Sequence, residues 1–203
     1  SSHIGTQRIR PSFCRPGEYM IGQELNQTSL KSEALVQKAA RIAASDFEGM
    51  LRKVPKSSNL VPRPYFSHVE RVANLLVECG YPPEVVAAGY LHDHLGDLPR
   101  KWNSDRLSAE FGVTVSKLVN WVTHRRGAKT WEEKSENYFL RIESAPIHSI
   151  AISAADKLAN MEDLVAVMRQ GYAVSSVLKR GWQENSEKFP RLLTIFKDQV
   201  HPN

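Results

Sequence analysis

Several acid and imidazole side chains stand in this sequence where a helical core calls for apolar ones. His92, with Asp93 beside it, shares a helical face with Val85 and Ala88, so it should point inward. Ile152, Asp156, Asn160 and Asp163 follow one another at offsets of four, four and three, one stripe on a helix otherwise rich in Ala and Ile. A carboxylate buried in such a helix is costly unless something offsets its charge. A divalent cation does so, and imidazole nitrogen with carboxylate oxygen suits Mn²⁺, Fe²⁺ or Zn²⁺. His68 is a third source, in the first turn of a helix that precedes the His92 helix by one tight turn. Taken singly, each residue has an ordinary reading: a surface histidine, an adjacent His-Asp pair arising by chance, an Asp156–Lys157 ion pair. Taken together they are hard to dismiss as coincidence, and they point to a metal site.

The elements that must position these groups are helical. From residue 28, Leu35, Ala39, Ile42, Ala43 and Phe47 recur on one face, and a polar loop with Pro55, Pro62 and Pro64 follows. Ser67 and Glu70 form a capping box opening a helix with a Val69, Val72, Ala73, Leu76 stripe, which Gly80 stops. Pro82 and Pro83 begin a helix over 84–93 that is apolar nearly all round and therefore central. Thr130 and Glu133 form a second capping box, opening a helix that ends before Pro146. A long buried helix is predicted over 147–168, and the last two over 174–187 and 190–199. Alternating strands and Asn-Gly or Asp-Gly hairpins are absent, so the predicted fold class is all-α, a compact helical bundle. Residues 1–27, with Pro11, Pro16, Gly17 and Gly22, read as a loosely ordered arm, and 28–203 as a single domain. Ser1, Ser2 and His3 look like a remnant of expression cloning.

The 203 residues and 22.9 kDa, with 41% hydrophobic and 24% charged residues, suit one globular domain with one core. The longest apolar run, 85–91, is far short of the ~20 residues a bilayer span needs, and no secretion signal opens the chain. A cytoplasmic protein with no membrane partner is the expectation. Cys14 and Cys79 are too few for a disulfide framework and are expected as free thiols. The net charge of +5 favours an anionic partner. Nucleic acid is set aside, because no aromatic–basic interleaving accompanies the charge.

The order His68, His92-Asp93, Asp156 resembles the HD superfamily of metal-dependent phosphohydrolases. Pro64-Tyr65-Phe66-Ser67-His68, Ala88-Gly89-Tyr90-Leu91-His92-Asp93, Phe111-Gly112 and the segment 155–164, with its Asp156-Lys157-Leu158-x-Asn160 core, narrow it. They are similar to the hydrolase domain of RelA/SpoT proteins and to stand-alone small alarmone hydrolases, over about residues 35–190. The resemblance implies an HD-domain bundle that removes the 3′-pyrophosphate of (p)ppGpp or (p)ppApp and releases pyrophosphate. It implies one Mn²⁺ per chain on His68, His92, Asp93 and Asp156, and a phosphorylated nucleotide held by Arg52, Lys53, Lys157 and Asn160. With no synthetase segment following, a stand-alone hydrolase is implied. Arg63, Lys179 and Arg180 are further phosphate candidates, and Trp182 a base-stacking one. His124, Arg125, Arg126 and Lys129, with Tyr138 and Arg141, could shield polyphosphate charge. One position departs from the pattern: three and four residues after Asp93 the family carries Glu-Asp, and here stand Gly96 and Asp97. The missing Glu helps activate the attacking water. Its loss fits a weak or silent nucleotide-binding module, an engineered change, or a subgroup using Asp97 with another base such as His94. A general HD nucleotidase is the remaining alternative.

Overall fold

The computed structural model describes residues 27–56, 58–124, 127–178 and 188–200. The predicted arm lies outside them up to residue 26, its last residue, Gln27, opening the first helix; Arg125, Arg126, Lys179, Arg180 and Trp182 lie outside them too. Among the described residues there are helices and no strand, with one isolated bridge between Leu51 and Pro64. The all-α prediction holds.

Helix α1 spans Gln27–Asp46, α2 Phe66–Glu78, α3 Pro83–Leu91, α4 His94–Asp97 and α5 Ser104–Phe111. Then come α6 Val113–Val122, α7 Trp131–Glu143, α8 Ile147–Arg169, a 3₁₀ turn at Val174–Ser176, and α9 Lys188–Val200. Helix α3 is central, packed against α1, α2, α6 and α8. Its start follows from Pro83 in the first turn, where the missing N–H costs nothing, and its side chains from Val85 to Leu91 are nearly all buried.

Gly89 sets how closely α3 approaches α2. A Cβ there would meet Leu76 Cδ1 at 2.7 Å and the Ala73 Cα at 3.3 Å, so only hydrogen fits. This approach brings His92, just past the end of α3, near His68 in the first turn of α2. Helix α8 buries Ser149 to Ala155 as a continuous run, and Asp156 stands where that run ends.

Four expectations are corrected. Helix α2 starts at Phe66, with Tyr65 at the cap position and no side-chain cap; the Ser67 hydroxyl donates back to the Pro64 carbonyl at 2.8 Å instead of capping. The Thr130 cap does form, accepting from the Glu133 N–H at 3.1 Å, but Glu133 reaches the Lys129 N–H, one residue upstream. The start of the helix predicted over 174–187 is a 3₁₀ turn, and its later part falls outside the described residues. Cys79 is disulfide-bonded, against the expectation of free thiols; Cys14, the chain's other cysteine, lies outside the described residues.

Candidate metal centre and adjoining cavity

His68, His92 and Asp156 come together with one potential ligand atom each, all within 4.8 Å of one another. His68 Nε2 lies 3.2 Å from Asp156 Oδ1 and 3.8 Å from Asp93 Oδ2; His92 Nε2 lies 3.2 Å from Asp93 Oδ2 and 3.7 Å from Asp156 Oδ1. Three elements converge: α2, the α3–α4 junction and α8. The two imidazoles are buried, while Asp93 and Asp156 keep 28% and 15% side-chain exposure toward a cavity.

The donor set fits a cation. The His92 Nδ1–H donates to the Gly89 carbonyl at 2.8 Å, which fixes the tautomer and aims the Nε2 lone pair into the cluster. That Nε2 is buried without a hydrogen-bond partner. An orphaned buried acceptor beside two carboxylates is what a metal ligand looks like without its metal. Electrostatics agree. Burial alone would raise Asp156, yet Lys157, whose ammonium is 2.6 Å from it, and the two imidazoles hold its carboxyl well below the usual range. Burial opposes a charge on His92, but Asp93 and Asp156 overcome it and push its pKa well above the ordinary value. The site calls for positive charge, and a proton on His92 supplies it when no metal does.

Around this centre the predicted substrate residues are brought in, several already tied to one another. Asn160 donates to Asp156 Oδ1 at 2.6 Å and accepts from Arg52 at 2.7 Å. Arg52 also pairs with Asp163 at 2.9 Å, and Arg63 pairs with the same carboxylate. The loop that carries both arginines is closed by the Arg52 N–H to the Arg63 carbonyl at 2.8 Å, so they reach α8 side by side. Lys53 is exposed on the rim. Arg141 does not contribute: its guanidinium bonds the Asn120 and Trp121 carbonyls at 2.5 and 3.0 Å. His94 does not face the centre either. It is fully buried between Phe47 and Trp102, with Asp46 at 3.5 Å, and cannot serve as the water-activating base.

Tyr65 is a site residue the sequence reading missed. Its hydroxyl lies 2.7 Å from Asp93 Oδ2 and 3.0 Å from Asp97 Oδ2, so one proton is shared between Asp93 and the residue one turn beyond it. Burial and both carboxylates push its pKa up, and it stays protonated. Its place in the Pro64-to-His68 motif was the available signal.

Three cavities meet here. One of about 160 Å³ lies over His68, His92, Asp93 and Asp156. A second, of about 810 Å³, shares with it Arg52, Tyr65, His124, Tyr138, Lys157 and Asn160. Its far wall is apolar, with Trp131, Leu164, Val167 and Leu192. A third, of about 370 Å³, includes His92, Asp93, Gly96, Asp97 and His124. A large, mostly apolar pocket with cationic side chains at one end suits a ligand with a flat organic part and anionic groups.

A family model described as the HD domain matches residues 50–179, more than half the chain. A probable guanosine-3′,5′-bis(diphosphate) 3′-pyrophosphohydrolase of Synechocystis is 34% identical over 110 residues, 51% of this chain and 14% of the relative. The Aquifex aeolicus enzyme of that name is 32% identical over 103 residues, 50% of this chain and 14% of the relative. The chain thus spans about one seventh of the length of these relatives. A solved structure described as a metazoan ortholog of SpoT that hydrolyses ppGpp superposes with a TM-score of 0.63 at 23% identity, covering 83% of this chain and 86% of that one. That likeness bears on the fold.

Proposed function

From the premise that this chain belongs to the HD domain family, we propose that it hydrolyses the 3′-pyrophosphate of an alarmone nucleotide, (p)ppGpp or (p)ppApp, with Mn²⁺ at its centre. The observation that carries this reading is the orphaned, inward-aimed His92 Nε2 among His68, Asp93 and Asp156, opening onto a nucleotide-sized cavity. Its sequence relatives named as 3′-pyrophosphohydrolases support the substrate class.

A divalent cation held by His68, His92, Asp93 and Asp156 would polarise the phosphoryl group and acidify the attacking water. This chain's residues do the rest. Lys157 and Arg52, which line both the 160 Å³ and the 810 Å³ cavities, meet the phosphates with charge-assisted hydrogen bonds. Arg52 must trade part of its contact with Asp163 for a phosphate oxygen, which makes Asp163 the competing partner that holds its guanidinium in place. Asn160 keeps Asp156 oriented through its 2.6 Å bond. The nucleobase lies against the apolar wall, and Asp97, with one oxygen engaged by Tyr65, orients the water through the other. The phosphorus–O3′ bond breaks, giving pyrophosphate and a free 3′-hydroxyl.

The test is product analysis with Mn²⁺ on ppGpp, ppApp and ordinary nucleotides. Pyrophosphate from the 3′-pyrophosphorylated compounds alone is the expected result. Monophosphate from ordinary nucleotides would make this a nucleotidase. Gly96 favours a second reading, a silent nucleotide-binding module, which would show tight binding and no turnover.

A further inference from the structure

We propose that His124 is the catalytic base of this centre, taking the proton of the attacking water across the space that Gly96 leaves open. The inference rests on the hydrolytic reading above and names a residue for its proton transfer. Gly96 has nothing within 4 Å of where a Cβ would stand, and the 370 Å³ cavity beside it runs from His92 and Asp93 to His124. His124 lines all three cavities, which no other described wall residue does. It therefore borders the metal ligands, the nucleotide pocket and the opening at Gly96 at once.

Few other groups there can accept a proton. His68 and His92 are metal ligands in this reading, Tyr65 stays protonated, and Lys157 is held as an ammonium by Asp156. His94 faces Asp46 on the far side. Asp97 has an oxygen committed to Tyr65. His124 is placed for the task. It directly follows the Thr123 cap of α6, and its ring lies 4.3 Å from the Tyr138 ring, itself pinned by a 2.6 Å hydrogen bond with Ser153.

The groups facing it give substrate a way to raise its basicity. Lys134 and Tyr138 approach from α7, Lys157 and Asp156 from α8, and Asp93 and Asp97 from the α3–α4 junction. Desolvation against Tyr138, then the Lys157 and Lys134 ammonium groups, push the free imidazole down to about 4, so it is neutral at pH 7 with a lone pair available. A polyphosphate pairing with those lysines cancels their repulsion and raises the imidazole pKa toward the working pH, where a base is most effective. In the step, water yields a proton to His124 and its oxygen bonds to phosphorus. The P–O3′ bond breaks with its electron pair on O3′, which takes a proton from solvent, and His124 later returns its own.

The experiment compares wild type with His124→Gln and His124→Ala. His124→Gln should lose at least 100-fold in kcat on ppGpp, with KM and bound Mn²⁺ within about two-fold, and added imidazole should restore part of the rate to His124→Ala. The acid limb of kcat should lie at higher pH than that of kcat/KM in the wild type, and vanish in His124→Gln. Independently of activity, histidine NMR of metal-free protein should show a neutral His124 at pH 7 whose midpoint rises when inorganic pyrophosphate is added. Unchanged kcat in His124→Gln, or a midpoint indifferent to pyrophosphate, overturns the assignment. The same comparison on bis(p-nitrophenyl) phosphate reads water activation apart from nucleotide recognition. Ester hydrolysis lost in His124→Gln, with no alarmone turnover by wild type, keeps the base and sinks the substrate reading. Turnover of neither compound by Mn²⁺-loaded wild type overturns both.

Discussion

The two histidines that flank Asp93 show how burial and partners divide roles between neighbouring side chains. His92 donates from Nδ1 to a backbone carbonyl and turns its other nitrogen to the carboxylates. His94 is also buried, but both its ring nitrogens lack hydrogen-bond partners. Burial pushes it down to about 4, with Asp46 pulling the other way. Because its folded pKa is depressed below the ordinary 6.5, the unfolded chain binds the proton more readily. The stability His94 permits is complete above about pH 6.5 and is lost as pH falls toward 4. At 1.36 kcal/mol per unit that amounts to about 3 kcal/mol. Urea unfolding at about pH 7 and about pH 4.5 should show this loss in wild type and a much smaller one in His94→Phe, which keeps the packing on Phe47 and Trp102 without a titrating ring. An equal acid loss in both proteins would assign it to other groups.

At the scale of elements, two glycines seven residues apart carry opposite expectations. Gly89→Ala places a methyl 2.7 Å from Leu76 Cδ1 and against the α2 backbone, so the helices must part. Overpacking of this kind costs roughly 1–3 kcal/mol. Because α2 carries His68 and α3 ends at His92, Mn²⁺ affinity should fall with it. Gly96→Ala meets nothing and lies within α4, so stability should hold or rise by up to about 1 kcal/mol. Denaturation midpoints and metal titrations of the two variants check both; a Gly89→Ala protein as stable as wild type would mean the helix approach is not set there. The central helix and its glycine were legible in the sequence, since apolar residues on every side of 84–93 leave nowhere but the core. The convergence of His68, His92 and Asp156 was legible because a carboxylate on a buried helix and an inward-facing imidazole have few explanations apart from each other. Helices α5 and α6 were not, because each is short and they meet at Gly112 with a φ of +86°, so neither offers a long periodic window. Nor was Tyr65 found, and Arg141 was offered as a polyphosphate contact that it does not make. Their partners come from 20 or more residues away, Asp93 and Asp97 for one and the Asn120 and Trp121 carbonyls for the other, and spacing along one helix cannot reveal them.

For the whole molecule, the proposed centre makes metal binding and folding one equilibrium. The four proposed ligands come from α2, the α3–α4 junction and α8, which the unfolded chain does not hold together. A cation bound only by the folded form stabilises it by about 2.7 kcal/mol at a hundred times its Kd. For a chain of this size each kcal/mol moves the melting point by about 2–4 °C, so Mn²⁺ should raise Tm by roughly 5–10 °C over chelator-treated protein. Asp156→Asn should erase that rise while keeping the side chain's volume. The shift should also shrink as the solution is acidified. His92 between two carboxylates holds a proton tightly, and the metal must displace it, so apparent affinity falls with falling pH. Calorimetry at several pH values separates this from charge screening at the surface, which changes Tm equally with and without Mn²⁺. A melting point indifferent to Mn²⁺ in wild type, or one that still rises in Asp156→Asn, would show that these three elements are held together by packing alone.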